Sequence, residues 1–144
     1  MLCSVNKDIH NFRLFLYCKT KSNRMNVEEL RDYCLSVKGA TESLPFDDKT
    51  LVFKVVGRMF AYIVLEPKDG VFKVDLKCDP EKSADLRERY EGVQGGTHTR
   101  HLTWNTVYIE SDLSDSMIKE LIDHSVDEVI KKLSKKKREE YLNS

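Results

Sequence analysis

The sequence predicts an α+β fold in which helices lie on one mostly antiparallel sheet. Three observations carry this. Apolar residues recur at helical spacing at both ends of the region that begins near Met25, short alternating runs bounded by turn residues lie between, and capping residues mark the changes of period. The predicted element order is α-βββ-α-ββ-α.

The first helix starts at Asn26, whose side chain can cap the helix while Glu29 reaches back as its capping-box partner. Val27, Leu30, Tyr33, Cys34 and Val37 follow at helical spacing, and Gly39 is expected to close the helix in the C′ position. After a loop holding Pro45, Asp47 and Asp48, Leu51, Phe53 and Val55 alternate with Val52, Lys54 and Val56, the period of a strand. Gly57-Arg58 reads as a tight turn into a partner strand over Met59 to Leu65. Pro67-Lys68-Asp69-Gly70 is a second turn, leading to a strand over Val71 to Cys78 with Lys73, Asp75 and Lys77 on one face.

Asp79-Pro80 then changes the period, an N-cap acid followed by proline at the first helical position. This second helix runs to about Tyr90 and stops at Gly92. Val93 to Arg100 reads as a short strand or extended loop, and Leu102 to Glu110 as the last strand. Ser114-Asp115 opens the longest helix, with Ile118, Leu121, Ile122, Val126, Val129, Ile130 and Leu133 inward. Ser134 interrupts, and KKKREEYL forms a short final helix.

Composition bounds the function. A chain of 144 residues, 40% hydrophobic and 33% charged, has the make-up of one ordinary soluble domain with a core of its own. No apolar run approaches the roughly 20 residues of a membrane span, and Phe12 to Tyr17 is too short and too polar for a secretory signal. Cys3, Cys18, Cys34 and Cys78 form no CxxC pair and read as reduced thiols, so a cytoplasmic location is expected. Residues 1–24 carry five basic groups and one acid, a basic N-terminal extension expected to be poorly ordered. The 25–144 domain is therefore acidic, and any polyanion binding must come from a locally basic face.

Several segments in register carry a family resemblance. They are Leu44-Pro45-Phe46, Lys54 through Ala61, Leu76 through Glu81, Leu86-Arg87 through Val93, His98, Trp104-Asn105-Thr106-Val107, and Leu121 through Ser125 with Leu133 through Lys136. Together they resemble the MmcQ/YjbR family from Met25 almost to the C-terminus. The resemblance implies a CyaY-like fold and the family's usual description, a DNA-binding protein with two winged hairpins. In the loop from Gln94 to Thr103, the family's tyrosine position is Thr97, its histidine before Trp104 is Thr103, and one basic position is Leu102.

Two candidate clusters follow. Lys54, Arg58, Lys68, Lys73 and Lys77 sit on or beside the predicted hairpins, where they can grip phosphates or simply keep sheet edges soluble. His98, Arg100, His101 and Trp104 form the second. Trp104 can stack on a base, or pack in the core with a solvated loop before it. The basic run from Lys131 to Arg138 reads as a solvated helix end favoured by the helix dipole. No nucleophile elbow, HExxH or P-loop is present, so no enzyme activity and no cofactor are expected.

The expected function is non-enzymatic binding of double-stranded DNA, weak and salt-dependent, through the hairpins and the 94–104 loop, with no membrane partner. An alternative is a protein-interaction or small-ligand module with an acidic core and an unidentified partner. A further alternative is metal binding by analogy with frataxin, through Glu28, Glu29 and Asp32 or Glu120, Asp123 and Asp127. The first reading requires the hairpin cations to converge on a face free of carboxylates.

Overall fold

The computed structural model describes residues 24–96 and 103–144. Ten elements follow in order: α1 (Val27–Ser36), β1 (Thr41–Ser43), β2 (Thr50–Val55), β3 (Arg58–Val64), β4 (Lys73–Lys77), α2 (Pro80–Arg89), β5 (Val93–Gly95), β6 (Trp104–Tyr108), α3 (Asp115–Lys131) and α4 (Lys135–Asn143). The six strands form one antiparallel sheet in the order β1-β2-β3-β4-β6-β5. This is the α+β arrangement the sequence predicts, with one further edge strand. β1 was hidden because Thr41-Glu42-Ser43 is polar and short, and pairs only with β2.

The helices form as their caps dictate. The Asn26 side chain accepts the Glu29 amide at 2.8 Å, and the Glu29 carboxylate accepts the Asn26 amide at 3.1 Å, a complete capping box. Asp79 caps α2 before Pro80, and Ser114 and Ser134 cap α3 and α4. Helix α1 ends earlier than expected: Val37 is its C-cap, which places Gly39 one residue beyond C′, still at positive φ. Arg138 donates to the carbonyls of Ile130, Lys131 and Leu133, so this member of the basic run closes the open end of α3.

The core lies between the helices and one face of the sheet. Phe53, Val55, Phe60 and Ile63 are fully buried, against Leu30 and Cys34 of α1 and Ile118 and Ile122 of α3. Each such side chain contributes about 1.5–3 kcal/mol by leaving water. Burial pushes the Cys34 thiol up to about 12, so it is inert packing rather than a nucleophile. Met25, the expected start of the domain, is buried too, and its amide donates to Asp115 at 2.9 Å.

The opposite face of the sheet has its own small cluster of Val52, Tyr62 and Trp104. The register places Val52, Tyr62, Asp75 and Thr106 side by side across four strands. Asp75 accepts the Tyr62 hydroxyl at 2.7 Å and the Thr106 hydroxyl at 3.0 Å. The alternation read from Lys73, Asp75 and Lys77 is correct in phase, but Asp75 is buried and hydrogen-bonded rather than solvated.

Two glycines answer to specific geometry. The β2–β3 turn is made by Val56 and Gly57, at φ 51° and 71°, with Val55 and Arg58 paired behind them. The turn thus sits one residue earlier than expected, and a β-branched residue occupies a left-handed position that it disfavours. Gly92 packs where a Cβ would meet the Ser111 hydroxyl at 2.3 Å, and the Asp112 carboxylate accepts the Gly92 and Glu91 amides. Those two amides hold the Asp112 carboxyl below its usual range.

Candidate functional site

Consecutive antiparallel strands put consecutive turns at opposite ends of a sheet. The Val56-Gly57 turn therefore lies at one end of β3 and the Pro67–Gly70 turn at the other. β3 has seven residues, so the two ends stand about 20 Å apart. The five hairpin cations are divided between them.

At the Pro67–Gly70 end are Lys68 and Lys73. Lys73 is ion-paired with Asp69 at 2.8 Å and lies over the Tyr108 ring, 5.1 Å from its centre. Asp69 is held below its usual range by that lysine first, and then by the Val71 amide. The turn therefore carries its own counter-charge. Lys68 is exposed and makes no ion pair with any described residue.

At the other end are Lys54, Arg58 and Lys77. Lys54 stands opposite Met59, beside the Val55–Arg58 pair. Burial holds the Lys77 ammonium below its ordinary range, and the neighbouring charges of Lys132 and Arg58 push it further down. Glu128 opposes them. Lys132, the C-cap of α3, thus joins a cluster that the hairpins alone were expected to supply. Among the described residues, none of Lys54, Arg58, Lys77 and Lys132 has an acidic ion-pair partner. Glu128 is the acid that acts on Lys77, and Lys131 takes its carboxylate at 2.9 Å.

This end is tied to α3 by an unusual joint. The fully buried Ser125 hydroxyl donates to the Phe60 carbonyl at 2.5 Å and accepts the Lys77 amide at 2.9 Å. β3–β4 pairing stops at Ala61–Leu76, so Ser125 takes up the ladder where the strands part. Two residues on, the Asp79 amide donates to His124 Nε2 at 3.1 Å. Sequence reasoning missed both residues as site builders. Leu121 through Ser125 entered only as part of a resemblance, and a serine on an apolar helix face gives no sign of what it bonds.

The remaining expectations divide. Trp104 is 7% exposed, with its ring 5.9 Å from that of Tyr62, so it packs rather than offers a face to a base. Its carbonyl accepts from Arg87 at 3.1 Å, and the adjacent Asn105 accepts from the same guanidinium at 2.8 Å. His98, Arg100 and His101 lie outside the described residues, as do most of the basic extension and residues 97–102 of the 94–104 loop. Among the described residues, no three His, Cys, Asp or Glu side chains come together as a metal site. No helix among them is long and apolar enough to cross a membrane.

Comparison with known proteins places this architecture. The YjbR family model matches residues 35–127. The chain is 32% identical to the uncharacterized protein YjbR of Escherichia coli K12 over 114 residues, covering 79% of this chain and 95% of that one. It is 30% identical over 92 residues to the uncharacterized protein YbdF of Escherichia coli O157:H7, covering 64% and 74%. Among solved structures, a Deinococcus radiodurans protein with the DUF419 domain superposes with a TM-score of 0.74 at 30% identity, covering 85% of this chain and 91% of that one. A Pseudomonas syringae protein shares the fold, with a TM-score of 0.61 at 24% identity and coverage of 70% and 96%.

Proposed function

The chain belongs to the YjbR family, and we propose that it is a non-enzymatic cytoplasmic protein that binds double-stranded DNA through the cationic end of its sheet. The observation that carries this reading is the gathering of Arg58, Lys77 and Lys132 from a turn, a strand end and a helix end, with no acidic ion-pair partner among the described residues. Like charges held close repel one another, and after burial the charges of Lys132 and Arg58 add to the lowering of the Lys77 pKa. A phosphate backbone relieves it and releases condensed counterions as it binds.

Such contacts position a duplex without reading its sequence. With Trp104 packed inside, little base-specific recognition is expected, and the acidic remainder of the domain keeps affinity modest. Of the hairpin cations, Lys54, Arg58 and Lys77 belong to this interface, and Lys68 and Lys73 do not.

The test is fluorescence anisotropy of a labelled duplex across a salt series with the full chain. Three phosphate contacts correspond to a slope of about −3 in log K against log salt. Arg58→Glu should weaken binding about tenfold and flatten that slope by about one unit. Absence of binding even at low salt sinks the reading.

A further inference from the structure

His124 and Ser125 grip the chain where β4 leaves the sheet, and the two grips differ in kind. A serine hydroxyl bonds the Lys77 amide at any ordinary pH. An imidazole bonds the Asp79 amide only while Nε2 has a lone pair, which requires the neutral ring. The same Nε2 stands 4.0 Å from the Glu128 carboxylate, one helical turn along α3. Glu128 in turn is the acid that moderates Lys77 and that Lys131 engages. One nitrogen therefore lies between a structural amide and the carboxylate that screens the cationic end.

The charged groups around His124 come from two helices. Lys82 and Asp79 face it from α2 and its cap, and Glu128 and Asp127 from α3. Burial and then Lys82 hold the imidazole below its ordinary range, against the pull of the three carboxylates. In the folded protein the neutral, amide-bonded form thus predominates near neutrality, and the ring takes up its proton below the ordinary histidine range.

We infer that His124 is a proton-operated latch: protonation at Nε2 releases the Asp79 amide, directs the imidazolium to Glu128 and strengthens DNA binding at the Arg58–Lys77–Lys132 end. The proton comes from solvent, and the freed amide turns to water. Glu128, now engaged by the imidazolium, no longer offsets Lys77, and a further positive charge stands beside the cluster. This inference rests on the DNA-binding reading and adds its regulation. Linkage makes it reciprocal: bound DNA must raise the affinity of His124 for its proton.

The test measures binding of a labelled duplex by the full chain between about pH 8 and pH 5.5 at constant ionic strength. The chain has three further histidines, His10, His98 and His101, so the comparison is with His124→Gln, whose amide oxygen can accept from Asp79 without titrating. The wild type should gain about fivefold more affinity on acidification than the variant. Glu128→Gln should bind more tightly than the wild type near pH 8 and gain less on acidification. Imidazole NMR of the wild type provides a readout independent of any substitution, since duplex DNA should move the His124 titration to higher pH. Equal pH dependence in wild type and His124→Gln, or a His124 titration that DNA leaves unmoved, overturns the latch alone. A wild type that binds no duplex at any pH overturns the latch and the DNA reading together.

Discussion

The two ends of the sheet carry the same kinds of residue and differ in what surrounds them. At the Pro67–Gly70 end the turn contains Asp69, and Lys73 is neutralised four residues along the chain. At the Val56-Gly57 end the turn is two residues long and holds no acid. The acid that acts on Lys77 there, Glu128, arrives from α3 and is engaged by Lys131. On the DNA-binding proposal, where its acid comes from decides whether a hairpin lysine is a solubilising charge or a binding charge. A local acid always accompanies its lysine, whereas a distant one can be drawn away.

The hardest way to break this contrast is to cut the joint that holds one end to α3. Ser125→Val strands the Phe60 carbonyl and the Lys77 amide in the core, at a cost of about 2–4 kcal/mol, and denaturant unfolding reads the loss. Next in size are the charges themselves. Arg58→Glu combined with Lys132→Glu is expected to weaken duplex binding about a hundredfold, whereas Lys68→Glu stays within about twofold. Equal losses at both ends would erase the distinction.

The turn itself offers a stabilising change. Val56→Asn relieves a β-branched residue of its left-handed backbone and should raise stability by about 1 kcal/mol, seen as a higher unfolding midpoint. Acid separates the ends again. The folded His124 pKa is depressed, so the unfolded chain binds more protons as pH falls below about 6.5. Wild-type stability should decline through that window, and His124→Gln should decline less. The smallest effect is at the far turn: Asp69→Asn frees Lys73 and should improve duplex affinity by no more than about twofold.

Much of the fold was legible because its signals are local. The capping box at Asn26, the Asp79-Pro80 helix start and the apolar stripe of α3 each depend on residues within a few positions of one another. Polar β1 escaped because its strand character comes only from pairing with β2. The β2–β3 turn was placed one residue late because valine disfavours the positive φ that Val56 adopts. The candidate site was half legible. Arg58 and Lys77 could be picked out as cations beside turns, but nothing in the chain shows that Lys132 stands near them, although Asp69 is visible next to Lys68 and four residues before Lys73.

By itself the sequence determined the α+β class, the order of every element but β1, and the family, because periodicity, caps and motif register are written along the chain. The tertiary structure alone decided which cations act together. Lys132 joins Arg58 and Lys77 because α3 lies across β3 and β4, and His124 and Ser125 become fastenings because the two strands part beneath them. Coulombic fields and hydrogen bonds depend on distance through space. Residues 58, 77, 125 and 132 are neighbours only once the chain is folded.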